Sequence, residues 1–100
     1  MKTTINEEAG KIKVALNGEL DTVASREAEK DFDPLMNVHD KEIDIDCSQL
    51  NYISSSGLRL FLSLLKKCKA NNSTLNLLNM NYNIKKVFSM TGFSSLFNIG

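Results

Sequence analysis

The apolar residues of this chain change their spacing repeatedly along its length, and that change restricts the fold more than any other feature. In Lys11-Ile12-Lys13-Val14-Ala15-Leu16-Asn17 polar and apolar residues alternate, which puts Ile12, Val14 and Leu16 on one face of a strand. Thr3-Thr4-Ile5-Asn6 supplies a partner strand through a turn at Glu8-Ala9-Gly10, giving a hairpin. The spacing then lengthens: Ala24, Ala28 and Phe32 form the stripe of a helix. Glu42-Ile43-Asp44-Ile45-Asp46 returns to period two, with both isoleucines inward. Leu58, Phe61, Leu62, Leu65 and Cys68 mark a second helix, Thr74 to Asn79 another strand, and Tyr82 to Met90 a third helix. Phe93, Leu96, Phe97 and Ile99 close the chain as a loop and a short strand. Strands that alternate with helices require right-handed crossovers and a largely parallel sheet.

Boundary residues sharpen this order. Asp21 is a helix N-cap, since its carboxylate can accept from free amides of the following turn. Pro34 should end the first helix, because the residue before a proline is pushed out of the α region. Asn71-Asn72-Ser73 breaks the second helix and Thr91-Gly92 the third, with Met90 and Phe93 assigned to the core.

One hundred residues without a repeat or a Pro/Gly/Ser linker make a single domain, 1–100. Twelve basic residues balance twelve acidic ones, and Lys66-Lys67-Cys68-Lys69 reads as the wet face of a helix, so nucleic acid is not an expected partner. No run approaches the ~20 apolar residues of a membrane span, and none resembles a signal peptide; direct membrane contact is not expected and the location is cytoplasmic. Cys47 and Cys68 are two half-buried thiols rather than a disulfide framework or metal pair. Asp44 and Asp46 belong to the outward side of a strand, so neither metal nor cofactor is expected. A hydrolase is disfavoured: His39 is the only histidine, and no G-x-S-x-G elbow or phosphate-binding glycine loop occurs.

Ser54-Ser55-Ser56-Gly57-Leu58 lies where a loop meets a helix start. Amides there lack helical partners, which makes a place for an anion. Capping alone also selects serine, but needs only one. A phosphate-accepting switch and a plain cap are both compatible with the residues.

Three blocks in register resemble the STAS family, in particular its small anti-sigma-factor antagonists. They are Gly18-Glu19-Leu20-Asp21, the stretch from Asp46 to Leu58, and Lys85-Lys86-Val87-Phe88-Ser89-Met90-Thr91-Gly92-Phe93. The resemblance implies an α/β fold, a four- to five-stranded mixed sheet with helices packed on one side. It also implies a binding role without catalysis. The unphosphorylated protein would bind an anti-sigma serine kinase and release the sigma factor; the kinase would phosphorylate Ser55, and a metal-dependent serine phosphatase would reset it. Partner contacts carried over with the motifs are Asp21, Thr22, Ser54, Ser56, Gly57, Leu58, Arg59 and Thr91. This chain departs from the pattern at Ser54, where the family most often has aspartate. A STAS accessory subunit of a membrane lipid-transport ATPase, or a scaffold of a stress-sensing complex, is the alternative role for the same fold.

Overall fold

In the computed structural model, which describes Met1–Gly100, five strands and three helices alternate as expected. They are β1 (Lys2–Glu8), β2 (Lys11–Leu20), α1 (Thr22–Met36), β3 (Glu42–Ile53), α2 (Ser55–Ala70), β4 (Thr74–Leu78), α3 (Tyr82–Met90) and β5 (Asn98–Ile99). β1 pairs antiparallel with β2; all later neighbours are parallel, in the order β1-β2-β3-β4-β5. The strand order never reverses, so every right-handed crossover lays its helix on the same face of the sheet. A mixed sheet with one helical layer follows from that topology.

Between sheet and helices lies one core. Ile12, Val14, Leu16, Ile43, Ile45, Leu75 and Leu77 line one face of the sheet side by side, and Ala24, Ala28, Phe32, Phe61, Leu64 and Phe88 cover it from the helices. Phe32, Phe61 and Phe88 join α1, α2 and α3 through ring centroids 6.2 and 6.1 Å apart, and Phe97 continues the line at 5.6 Å from Phe88. Each such pair adds about 0.5–1.5 kcal/mol beyond its buried area. The opposite face of the sheet carries cross-strand polar pairs. Lys11 Nζ sits 2.7 Å from Glu42 and 3.4 Å from Asp44, and Asn76 donates to Asp44 at 2.8 Å. Hydrogen bonds and charge from Glu42 and Asp44 raise the Lys11 pKa above its ordinary value.

Five local expectations need correction. Pro34 does not end α1, which runs on to Met36. Pro34 and Lys30 are both exposed, so the one lost bond falls on the water side while buried Leu35 anchors the last turn. β3 extends to Ile53 rather than stopping near Asp46. Its buried residues Cys47, Leu50 and Ile53 are spaced by three because the pairing with β2 slips by one residue in each interval. A bulge inserts an unpaired residue and converts period two to three, and Gly18 accommodates the distortion at φ 120°. The buried stripe of α2 is wider than expected, because Leu60 and Leu64 are sealed while Leu62 is only half-buried. That helix packs on both the sheet and α1. The cysteines are fully buried at 0% and 2% exposure, and burial together with the Asp46 charge pushes the Cys47 thiol up to about 12. Finally, Met90 is 76% exposed, whereas Phe93 packs against Phe88 and Phe97.

Candidate functional site

α1, α2 and α3 all begin where a parallel strand ends, so three helix N-termini share the carboxyl edge of the sheet. Each has a side-chain cap. Asp21 Oδ1 accepts from the Ala24 amide at 2.8 Å, Ser54 Oγ from the Gly57 amide at 3.2 Å, and Asn81 Oδ1 from the Ile84 amide at 2.9 Å. Two further bonds fasten these starts together. The Ser54 amide donates to the Leu20 carbonyl at 2.9 Å, and Asn81 Nδ2 donates to the Leu50 carbonyl at 3.1 Å. Cap and neighbouring strand end therefore move as one unit.

This arrangement separates the three serines by task. Ser54 is the N-cap, with an extended backbone at φ −87°, ψ 171°. Ser55 is the first helical residue; it is exposed, and its hydroxyl has no hydrogen-bond partner in the protein. Ser56 is half-buried and its Oγ accepts from Arg59 Nη2 at 3.2 Å. The amides of Ser55 and Ser56, in the first turn, have no helical acceptor. A negative group on Ser55 would meet those amides and the positive end of the α2 dipole.

Gly57 and Leu58, the next two candidates, are buried. A Cβ on Gly57 would stand 2.8 Å from Leu20 Cδ2 and 2.9 Å from Ile53 Cγ1. Only a residue without a side chain lets α2 settle this closely on the ends of β2 and β3. These two residues form the floor under Ser55 rather than a surface. Asp21, Thr22 and Arg59 are exposed at the same edge as Ser55. Thr91 is not. It caps the far end of α3, roughly 13 Å along the axis from that helix's start at ~1.5 Å per residue, and its Oγ1 donates back to the Val87 carbonyl at 2.8 Å. The resemblance implies a partner contact there, and the structure puts it away from Ser55, because a helix crossing to the parallel strand β5 has to end at the other edge of the sheet. His39 follows α1 and lies at that other edge too, so it cannot serve Ser55 as a base.

Several residues at the carboxyl edge escaped the sequence reading. Val23, Tyr52 and Tyr82 are 68%, 51% and 76% exposed, one at each of three neighbouring element ends. Arg26 was also passed over. It lines a groove of about 560 Å³ between α1 and α2 together with Thr22, Glu29, Ser56, Arg59 and Ser63. Ser56, the residue after Ser55, is part of its wall. No group of acidic, histidine and cysteine side chains is arranged to hold a metal ion, and no helix is long and apolar enough to cross a membrane.

The comparison with known proteins agrees with this architecture. The chain is 28% identical over 99 residues to the anti-sigma-B factor antagonist of Staphylococcus aureus, covering 99% of this chain and 90% of that protein. It superposes on an anti-sigma factor antagonist from Mycobacterium paratuberculosis with a TM-score of 0.86 at 18% identity, over 98% of this chain and 83% of that one. It also matches the Bacillus cell fate determinant SpoIIAA, in its phosphorylated form, with a TM-score of 0.74 at 21% identity, over 99% and 91% of the two chains. A family model described as the STAS domain matches residues 2–100, and the chain belongs to the STAS domain family.

Proposed function

We propose that this chain is an anti-sigma-factor antagonist controlled by phosphate on Ser55. The observation that carries the reading is the division of labour at the start of α2: Ser54 supplies the cap, leaving an exposed, unbonded hydroxyl on Ser55. A protein without a switch needs no second serine there. Unphosphorylated, the edge with Asp21, Thr22, Ser55 and the exposed Val23, Tyr52 and Tyr82 binds an anti-sigma serine kinase, and the sigma factor is released. The role is one of binding, in the cytoplasm, without turnover.

Phosphate brings about −1.5 to −2 charges and three acceptor oxygens. The free amides and dipole of α2 tolerate it, so the domain stays folded. Its effect falls on the partner: a dianion desolvated against an apolar or acidic surface costs several kcal/mol. At ~1.4 kcal/mol per tenfold, affinity falls by roughly a thousandfold. A metal-dependent serine phosphatase returns the protein to the binding state.

Incubation with the anti-sigma kinase and ATP, followed by mass-spectrometric mapping, tests this. Phosphate on Ser55, abolished in Ser55→Ala, is the expected result. Phosphate on Ser56 alone, or none, overturns the assignment.

A further inference from the structure

Arg26 and Arg59 are the only arginines in the chain, and both line the groove between α1 and α2. Neither has a carboxylate within ion-pair distance, although Lys11, Lys13 and Lys41 are all paired. The single bond recorded for either guanidinium is the one from Arg59 to the Ser56 hydroxyl. Guanidinium keeps its charge at any physiological pH and presents a planar fork that matches a carboxylate. Thr22 and Ser63 add hydroxyls at either end of the groove, and Glu29 is its one acid, so its formal charge is positive by one. On α1, Thr22 and Arg26 are one turn apart, as are Ser56 and Arg59 on α2, so the two arginines face a common channel rather than opposite sides of the molecule.

The geometry points to this groove as the docking surface for an acidic segment of a protein partner, with Arg26 and Arg59 receiving its carboxylates. The inference deepens the reading of Ser55 as a phosphate acceptor and rests on it for one consequence. Ser55 lies one turn before Arg59, where side chains at i and i+4 come within about 6 Å at Cβ. A phosphate there competes for Arg59 and takes the groove from one positive charge to roughly one negative. The modification thus both repels the acidic segment and occupies the arginine that would have held it.

A titration of ¹⁵N-labelled protein with hexaglutamate, followed by NMR at low ionic strength, decides the matter, because exposed pairs are screened by salt. Saturable shifts are expected at the Nε–H signals of Arg26 and Arg59 and at the amides of Thr22, Ser56 and Ser63. Arg26→Gln/Arg59→Gln should weaken binding at least tenfold, with the remaining spectrum unchanged, while Lys66→Gln/Lys67→Gln should leave it intact. Shifts centred on the lysines, binding indifferent to the arginine pair, or no shifts at all would overturn the docking surface. A Ser55→Glu protein that binds hexaglutamate as tightly as the parent would overturn the charge inversion. Failure of kinase mapping at Ser55 would remove only the phosphate reading, since the peptide titration reports on the groove without it.

Discussion

Replacing Gly57 with alanine sets two known effects against each other at one atom. In an exposed helix the change would stabilise by ~1 kcal/mol, the difference in intrinsic propensity. Here the added Cβ would stand 2.8 Å from Leu20 Cδ2, 2.9 Å from Leu20 Cγ and 2.9 Å from Ile53 Cγ1. Carbon atoms pack best at about 3.5–4.0 Å, so all three contacts are too short by more than half an ångström. Leu20 is 0% exposed and Ile53 5%, which leaves neither side chain free space to swing into. Overpacking of a filled core costs ~1–3 kcal/mol, and three simultaneous clashes, one with a branch carbon, belong to the upper part of that range. The net expectation for Gly57→Ala is a loss of about 1.5 kcal/mol, or a Tm lower by roughly 6–12 °C for a domain of this size. Urea unfolding followed by circular dichroism at 222 nm measures it, with the slope checked so that a change in midpoint can be read as a change in stability. A midpoint equal to or above that of the parent would refute the argument, because propensity would then have won and the seat of α2 on Leu20 and Ile53 would not be tight.

Other outcomes follow from the same edge and from the sheet. Ser54→Ala should cost ~1 kcal/mol through the lost cap, while Ser54→Asp should keep the cap and gain a few tenths to ~1 kcal/mol from the helix dipole; thermal melts in low salt distinguish them. The buried cysteines should resist thiol reagents at pH 8 in the folded protein and react fully in denaturant; because the folded Cys47 pKa is raised to about 12, its contribution to stability is complete below the unfolded thiol value and is lost as pH climbs from there toward 12. Asp46 behaves in the opposite sense. The Ser48 amide, bonded to its carboxylate at 2.9 Å, lowers its pKa, so its stabilisation is present above the unfolded value near ~3.9 and disappears as pH falls through the lower folded one. Asp46→Ala should accordingly flatten the acid limb of the stability profile below about pH 4, as read by urea midpoints.

Much of this architecture is legible from spacing alone, where a residue's neighbours in sequence decide its place. Ile12, Val14 and Leu16, or Ala24, Ala28 and Phe32, are buried as their periods require, and Asp21 caps the helix that it precedes. Spacing stops being informative where tertiary packing intervenes. The three-residue step through Cys47, Leu50 and Ile53 has no regular period and is explained only by slips against β2. Leu60 and Leu64 fall outside the stripe expected for α2 and are core all the same, on a helix that packs against α1 as well as against the sheet. At the site, the triplet Ser54-Ser55-Ser56 announces a helix start, but which serine caps it is settled by a bond to the Gly57 amide. Thr91 shows the reverse case, a motif residue that the path of α3 carries to the edge opposite Ser55. Arg26 and Arg59 meet only once two helices, separated by a whole strand, are packed side by side.

The unreversed strand order bears on how the molecule is made. After the β1–β2 hairpin, each new strand joins the edge left by the one before it, and none must be threaded between partners that are already bonded. A chain emerging from the ribosome N-terminus first could build this sheet in the order of synthesis, row upon row, with each helix closing over the row just laid. On such a path the seat for α2 exists as soon as Leu20 and Ile53 lie side by side, well before the last strand is made.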